Sequence, residues 1–224
     1  MLPPVESDER LAARGLYQQI RRGEPTRLQE VWSIHRLPDE ATIWRTQLLY
    51  DQAIPMSACY LLRDPDFRPV QMVFYWRWQD GREDLIEYRF MPGYATILYH
   101  DQAQDMILPA DCDVFGWHTI MSHLLWRRYD YRKQGRQALT LVGPGLTGGT
   151  LWPALLEMEA VLDRREIIPG PAGPHKGSAF TLRMVELGPQ TLVLDSFGVP
   201  LRWVLPAVQL TFELTEYERI GSRA

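Results

Sequence analysis

The chain has 224 residues, of which 46% are apolar and 23% are charged, a composition typical of a folded globular protein. Its 24 basic and 28 acidic residues are mixed along the sequence and give a formal net charge of -4. This balance excludes nucleic-acid binding from the favoured functions, because no single-sign field is present to collect phosphates. We interpret the one basic run, at 127–136, as a solvated edge or loop.

The cysteines and the start of the chain bear on its compartment. Cys59 and Cys112 are too few for a disulfide framework and lack the spacing of a metal pair. The sequence starts with prolines and charges where a signal peptide needs an apolar stretch, and no apolar run reaches membrane-spanning length. We therefore expect a cytoplasmic protein with reduced thiols and no membrane span.

The first predicted element is short, and strands follow it. Residues 5–14 favour an N-terminal arm or short helix, with Ser7 or Asp8 as its cap. From Gly15 the apolar period changes to two, and we predict one β-rich domain over 15–224. Aromatic and β-branched residues predict strands over 28–35, 42–50, 56–63, 70–79, 84–91 and 94–100.

Turn residues between these strands indicate an antiparallel meander. The reversals fall at Pro38-Asp39, Asp64-Pro65-Asp66, Asp80-Gly81 and Pro92-Gly93. Two neighbouring strands share an aromatic face, because period-two alternation places one set of side chains together. That set is Met72, Phe74, Trp76, Trp78, Ile86, Tyr88 and Phe90.

The second half of the chain adds a helix before strands resume. Asp113 is a good cap, and the apolar spacing over 114–126 predicts a helix. Residues 153–165 fit a helix and a strand about equally, so both remain open. Strands are predicted over 138–142, 178–187, 191–195, 201–205 and 208–215. The predicted fold is mainly β: a large curved antiparallel sheet or half-barrel with one or two covering helices.

A glycine-rich segment matches a dinucleotide-binding pattern only in its spacing. Gly143, Gly145 and Gly148 satisfy G-x-G-x-x-G after a predicted strand. Pro144 removes an amide from the tightest part of that turn, and no series of β-α-β units surrounds it. We interpret the segment as a plain turn and expect no cofactor.

The predicted helix start also carries chemistry-bearing side chains. His118 and Ser122 lie four residues apart and share a helix face, so a Ser/His pair assisted by Asp113 is conceivable. The alternative interpretation is therefore a hydrolase that uses His118 with Ser122, Asp113 or Cys112. No nucleophile-elbow sequence is present to support it. The two histidines at 118 and 123 diverge on a helix, so we expect no metal site.

The aromatic residues give the leading functional interpretation. A curved sheet covered by one helix commonly leaves an apolar pocket between them. We therefore expect a noncatalytic binder of an apolar or amphipathic small molecule, rather than an enzyme. The expected ligand contacts are Trp76, Trp78, Tyr88, Arg89, Phe90, Trp117 and His118. A third interpretation is a scaffold or homodimer that pairs through edge strands.

The order of elements over residues 28–205, together with the Pro/Gly-rich loop at 168–177 and the turn at 195–203, resembles a bacterial half-barrel family. This family includes the lipoprotein-localisation carriers and related uncharacterised bacterial proteins. The resemblance implies a sheet of about ten strands that wraps a short helix over a lipid pocket. It also implies a carrier rather than a catalyst. The carriers work outside the cytoplasm with an export leader, which this sequence does not show, so no functional residue is transferred.

Overall fold

A computed structural model describes residues 2–133, 135–147, 150–169, 174–185 and 187–220 of the chain. They form one sheet of fifteen strands. The strands are β1 (Arg10–Arg21), β2 (Glu24–Arg36), β3 (Thr42–Tyr50), β4 (Ile54–Arg63), β5 (Pro69–Arg77), β6 (Glu83–Met91), β7 (Tyr94–Tyr99), β8 (Gln102–Ile107), β9 (Asp113–Val114), β10 (Arg136–Thr147), β11 (Thr150–Ile168), β12 (His175–Met184), β13 (Gly188–Asp195), β14 (Pro200–Leu205) and β15 (Leu210–Arg219).

The sheet is a meander whose last strand pairs with its first. Spatial order runs β8-β7-β6-β5-β4-β3-β2-β1-β15-β14-β13-β12-β11-β10-β9. Every neighbouring pair is antiparallel except β9 and β10, which are parallel. Successive turns therefore lie at opposite ends of the strands. We call the two ends of the strands the first rim and the second rim. The first rim carries the turns β2–β3, β4–β5, β6–β7, β11–β12 and β13–β14. The second rim carries the turns β1–β2, β3–β4 and β5–β6.

The mainly β, curved antiparallel fold predicted from the sequence is confirmed. The β3–β4 hairpin pairs Thr42 with Arg63, and the β5–β6 hairpin pairs Gln71 with Arg89. Gly81 and Gly93 adopt φ values of 86° and 83°, which glycine reaches without the steric cost that a side chain would impose. β8 was not predicted, because its residues are polar and largely exposed.

The helix predicted over 114–126 is wrong in its limits. A 3-10 helix spans Thr119–His123, and an α-helix, α1, spans Leu124–Arg128. The residues before them cannot continue a helix, because Trp117 has a φ of 53°. Val114 instead pairs with Val142 in the sheet. All residues of the 3-10 helix and the first two residues of α1, Leu124 and Leu125, are buried, and the two helices are the covering element of the curved sheet.

The structure also bears on the predictions for the N-terminal segment, for 153–165 and for the glycine-rich segment. The helix predicted over 5–14 is absent, because Arg10–Arg21 forms β1 and pairs with both β2 and β15. The predicted boundary between residues 14 and 15 thus falls inside β1. The undecided segment 153–165 lies within β11, so no second covering helix forms there. Gly143 and Gly145 belong to β10, whereas Gly148 lies outside the described residues.

The space enclosed by the sheet is filled with side chains. One apolar cluster joins the first seven strands to the 3-10 helix through residues such as Trp44, Phe74 and Ile120. A second cluster packs α1 against β10–β14 through Leu125, Phe180 and others. Openings into the interior therefore lie near the two rims rather than through the middle.

Candidate functional site

An apolar groove opens at the second rim. Its volume is about 590 Å³, and its walls are Leu28, Leu48, Met56, Trp76 and Trp78. The polar and charged residues of the same groove are Arg77, Gln79, Asp80 and Arg82. We call this the aromatic groove. It combines an apolar wall with a polar mouth, which is the arrangement that holds an amphipathic molecule.

Strand pairing and aromatic contacts fix the two tryptophans of the groove. Trp76 lies opposite Ser57 on one side and Asp84 on the other. Its ring stacks on Phe74 at 6.2 Å between centroids and meets Trp78 edge-on at 6.1 Å. The Trp78 Nε1–H donates to Asp84 Oδ2 at 2.5 Å. The indole rings are thus held in place by neighbours of the sheet itself.

Paired charges flank the mouth of the groove. Arg82 Nε donates to Asp80 Oδ2 at 2.8 Å, and the Arg82 guanidinium lies 5.7 Å from the Trp78 ring centroid. Arg77 forms an ion pair with Glu83 across the β5–β6 hairpin. These pairs present charged groups to solvent beside an apolar wall.

A buried polar group, which we call the inner network, consists of Glu30, Thr46, Ser57 and His118. His118 Nδ1 lies 2.6 Å from the Gly116 carbonyl oxygen, so this nitrogen carries the proton and donates. His118 Nε2 then accepts from Ser57 Oγ at 3.1 Å. Burial lowers the pKa of His118, and the negative charge of Glu30 opposes that shift.

Glu30 holds the start of the 3-10 helix. Its Oε2 accepts from the Thr119 backbone N–H at 2.8 Å, and its Oε1 accepts from the Ile120 N–H at 3.1 Å. Thr46 Oγ1 also donates to Oε1, at 3.1 Å. Glu30 is 1% exposed, and both of its oxygens have partners. The carboxylate therefore fastens the covering helix to β2 and β3.

The expected ligand contacts do not converge on one pocket. Trp76 and Trp78 line the aromatic groove, but Phe90 lines a cleft at the first rim, and Tyr88 is fully buried. Arg89 lies on the opposite face of β6 from Tyr88, is exposed and pairs with Glu87 at 2.6 Å.

Trp117 is partly buried and His118 is buried, and neither lines the aromatic groove. The Trp117 ring meets Phe115 edge-on at 5.0 Å, and its Nε1–H donates to the Pro144 carbonyl oxygen. His118 is 2% exposed and its ring lies 5.8 Å from Phe74, which stacks on Trp76. The inner network thus lies behind the aromatic wall.

The Ser122 and Asp113 of the hydrolase interpretation have other neighbours than His118. Asp113 Oδ1 accepts from Arg63 at 2.8 Å and its Oδ2 lies 3.1 Å from Arg128 Nε. Ser122 lies among apolar side chains that include Leu125 and Trp203. The hydroxyl that contacts His118 belongs to Ser57, which sequence reasoning missed because it lies 61 positions away.

Neither cysteine is set up as a nucleophile. Cys59 is fully buried, and burial raises the pKa of its thiol far above the ordinary value. Burial also raises the pKa of Cys112 to about 12, with the Asp113 charge adding to the effect. Among the described residues, no group of three or more His, Cys, Asp or Glu side chains is placed to hold a metal ion.

Two clefts open at the first rim. The larger, of about 780 Å³, lies between the β4–β5 and β6–β7 turns and includes Phe67, Phe90 and Arg127. The second, of about 580 Å³, is lined by residues that include Trp126, Tyr131, Ile167 and Asp195. Both clefts carry several charged residues among their walls.

Comparison with known proteins identifies the fold but no sequence family. No protein-family model matches the chain, and no curated protein sequence matches it. It is similar to a solved β-barrel-like protein of the domain of unknown function DUF1849 from Brucella abortus, with a TM-score of 0.62 and 10% identity over 94% of this chain and 98% of that one. A DUF1089 family protein from Pseudomonas aeruginosa gives a TM-score of 0.46 and 13% identity over 77% and 87% of the two chains.

The first of these similarities shows that the chain has a β-barrel-like fold. The curved, β-barrel-like sheet that the half-barrel resemblance implied is confirmed, but it has fifteen strands among the described residues rather than about ten, and the lipid pocket and the carrier activity stay predictions. Among the described residues, no helix has the length and apolar character needed to cross a bilayer. The cytoplasmic location and the homodimer also stay predictions.

Proposed function

We propose that the protein is a noncatalytic binder of an apolar or amphipathic small molecule, and that the aromatic groove is its binding site. The observation that carries this proposal is the pair of tryptophans, Trp76 and Trp78, that forms a wall with Leu28, Leu48 and Met56 around about 590 Å³. Apolar walls with a few polar groups at one side are characteristic of small-molecule sites.

Charge placement supports an amphipathic ligand. The apolar tail would lie on the Trp76 ring, and the polar end would meet the Arg77 and Arg82 side of the mouth. Both arginines already pair with acidic neighbours, so the mouth offers mixed rather than purely positive charge. This mixture favours a neutral or zwitterionic polar end over a strongly anionic one.

The neutral fluorescent probe N-phenyl-1-naphthylamine tests this proposal. Trp76→Ala is expected to weaken binding by about tenfold or more, because it removes one of the two indole rings of the groove wall. Trp126→Ala, which alters a first-rim cleft instead, is the matched control and is expected to leave the affinity nearly unchanged. Thermal melts of all three proteins report the accompanying change in stability.

Two results would count against the proposal. Equal losses of affinity in Trp76→Ala and Trp126→Ala would show that the probe does not occupy the aromatic groove. A Trp76→Ala protein that melts earlier but binds the probe as tightly as the wild type would make this tryptophan part of the core only.

A further inference from the structure

Two positively charged side chains line one of the clefts at the first rim. This is the cleft of about 580 Å³, whose walls come from α1 and the segment after it, from β11 and from β12. We call it the cationic cleft. Its walls include the aromatic residues Trp126 and Tyr131, the apolar Ile167, and the cations Arg165 and Lys176. One cavity therefore combines positive charge with apolar surface.

Strand pairing shows which face of the sheet the two cations share. Arg165 lies directly opposite Ser178, and Lys176 lies two residues before Ser178 on β12. Residues that are directly paired, or two apart along a strand, lie on the same face of a sheet. Phe180, two residues after Ser178, meets the Tyr131 ring at 6.2 Å between centroids. Both cations therefore belong to the face that is turned towards the segment after α1.

The two acidic residues that border the cleft belong to the other face. Glu166 is adjacent to Arg165 in the sequence, and Glu166 and Asp195 both lie opposite the same glycine of β12. Each carboxylate already has donors: Glu166 accepts from Arg164 Nε at 3.0 Å, and Asp195 Oδ1 accepts from two backbone N–H groups of the β13–β14 turn. Among the described residues, neither Arg165 nor Lys176 forms an ion pair.

The two cations are close enough to act on one ligand group. Arg165 and Lys176 are diagonal neighbours on β11 and β12, a relation in which the residues lie about 7–8 Å apart and long side chains can reach each other. An anion between them would relieve their mutual repulsion. A guanidinium group binds a carboxylate through two parallel hydrogen bonds, and an ammonium group adds a second charge. The hydroxyl groups of Ser178 and Ser196, which also line the cleft, can donate to the same oxygens.

The remaining walls suit a flat apolar body. Trp126 packs against the β13–β14 turn so closely that a side chain at Gly198 would lie 2.5 Å from its Cβ atom. The turn therefore keeps Trp126 in place. Burial raises the pKa of Tyr131, and the charge of Arg165 opposes that shift. Ile167 is 70% exposed, so a ligand that covers it gains apolar contact.

We propose that the cationic cleft is a second binding site, which takes a small organic anion whose carboxylate is carried on an aromatic or apolar body. The carboxylate contacts Arg165 and Lys176, and the body lies against Trp126, Tyr131 and Ile167. This site is independent of the aromatic groove, because it lies at the other rim and selects a negative charge. Failure of one proposal therefore leaves the other standing.

Two probes that share one ring system test the preference for an anion. 2-Naphthoate carries a carboxylate, and 2-naphthamide is its neutral counterpart of nearly the same shape. Ligand-observed NMR titrations should show that 2-naphthoate binds at least about tenfold more tightly, and that added salt weakens its binding. Equal or tighter binding of 2-naphthamide, or no binding of 2-naphthoate, would overturn the proposal.

Variants of neighbouring arginines locate the binding of 2-naphthoate. Arg165→Gln is expected to lower the affinity by about tenfold, because it removes a charged donor to the carboxylate. Arg164→Gln is the matched control: this residue is also exposed on β11, but its side chain pairs with Glu166 on the other face. It should change the affinity by less than about twofold. Thermal melts of the free proteins verify that both variants are folded.

Three outcomes would contradict this assignment. Equal losses of affinity in Arg165→Gln and Arg164→Gln would show that general charge, rather than the cationic cleft, attracts the probe. An unchanged affinity in Arg165→Gln would remove this residue from the site. The Trp76→Ala protein should bind 2-naphthoate as the wild type does, and a loss as large as that of Arg165→Gln would place the anion in the aromatic groove instead.

Discussion

The inner network and a second set of buried polar side chains, those of Tyr17, Trp32 and Asp195, differ in how their atoms are partnered. In the inner network, both oxygens of Glu30 and both ring nitrogens of His118 have protein partners. In the second set, Asp195 Oδ2 and Tyr17 Oη have none among the described residues. The first pattern is that of a structural fastening, whereas the second leaves buried polar atoms whose desolvation lowers the stability of the fold.

This difference changes the interpretation of His118. The pair that it forms with Ser57 has the distance of a catalytic Ser/His pair, with the Gly116 carbonyl oxygen holding the other nitrogen. Both side chains are nearly inaccessible to solvent, at 2% exposure each. The network also includes the carboxylate that anchors the covering helix. Its geometry is therefore accounted for by structure, without a reaction.

The largest expected effect is on the inner network. Glu30→Ala removes the acceptor of two backbone N–H groups and of Thr46, and it should lower the free energy of unfolding by about 3–5 kcal/mol. Chemical denaturation measures this change. Glu24→Ala, at an exposed position of the same strand, is the control and should stay within about 0.5 kcal/mol of the wild type. If Glu30→Ala lowered the free energy of unfolding by less than about 1 kcal/mol, the inner network would not be a structural fastening.

A smaller effect on stability is expected from a change of pH, and its sign differs between His118 and Asp195. Burial lowers the pKa of His118, so its contribution to stability is complete above about pH 6.5, where the unfolded residue is neutral, and is lost as the pH falls. Burial raises the pKa of Asp195, so its contribution is complete below about pH 3.8 and is lost as the pH rises through the folded-state value.

Chemical denaturation measured between pH 4 and pH 7 distinguishes these two pH dependences of stability. His118→Gln should flatten the loss of stability on acidification, whereas Asp195→Asn should steepen it. Gln104→Asn, at an exposed position of β8 and without a titratable group, is the control and should leave the slope unchanged. His123, whose pKa burial lowers to about 3, remains in every variant and accounts for a residual slope. Slopes that shift in the same direction in His118→Gln and Asp195→Asn would contradict the assignment of opposite shifts.

Most of the strands could be predicted, because each carries its own period-two pattern and ends at a turn residue. The β3 strand at Thr42–Tyr50 matches its predicted range, and β6 and β7 match to within a residue at each end. The error at β1 has a physical reason. Leu11, Ala12 and Ala13 are good helix formers, but pairing with two neighbouring strands overrides that local preference.

The sites were less predictable than the strands, because they depend on contacts between distant segments. The sequence drew attention to Trp76 and Trp78 through their aromatic character, and both line the aromatic groove. It could not show that Phe90 lines a cleft at the first rim, or that Ser57 rather than Ser122 contacts His118. Tyr17 and Tyr217 lie near opposite ends of the chain, yet both rings contact or neighbour Trp32 because β15 pairs with β1.

The most direct test of the central claim is native mass spectrometry of the protein purified from its own host, compared with the same sample after denaturation and organic extraction. A binder whose site is the aromatic groove should carry a small apolar or amphipathic molecule that denaturation releases, and the Trp76→Ala protein should retain less of it. A bare chain mass under native conditions, together with no saturable binding of N-phenyl-1-naphthylamine, would contradict the proposed function.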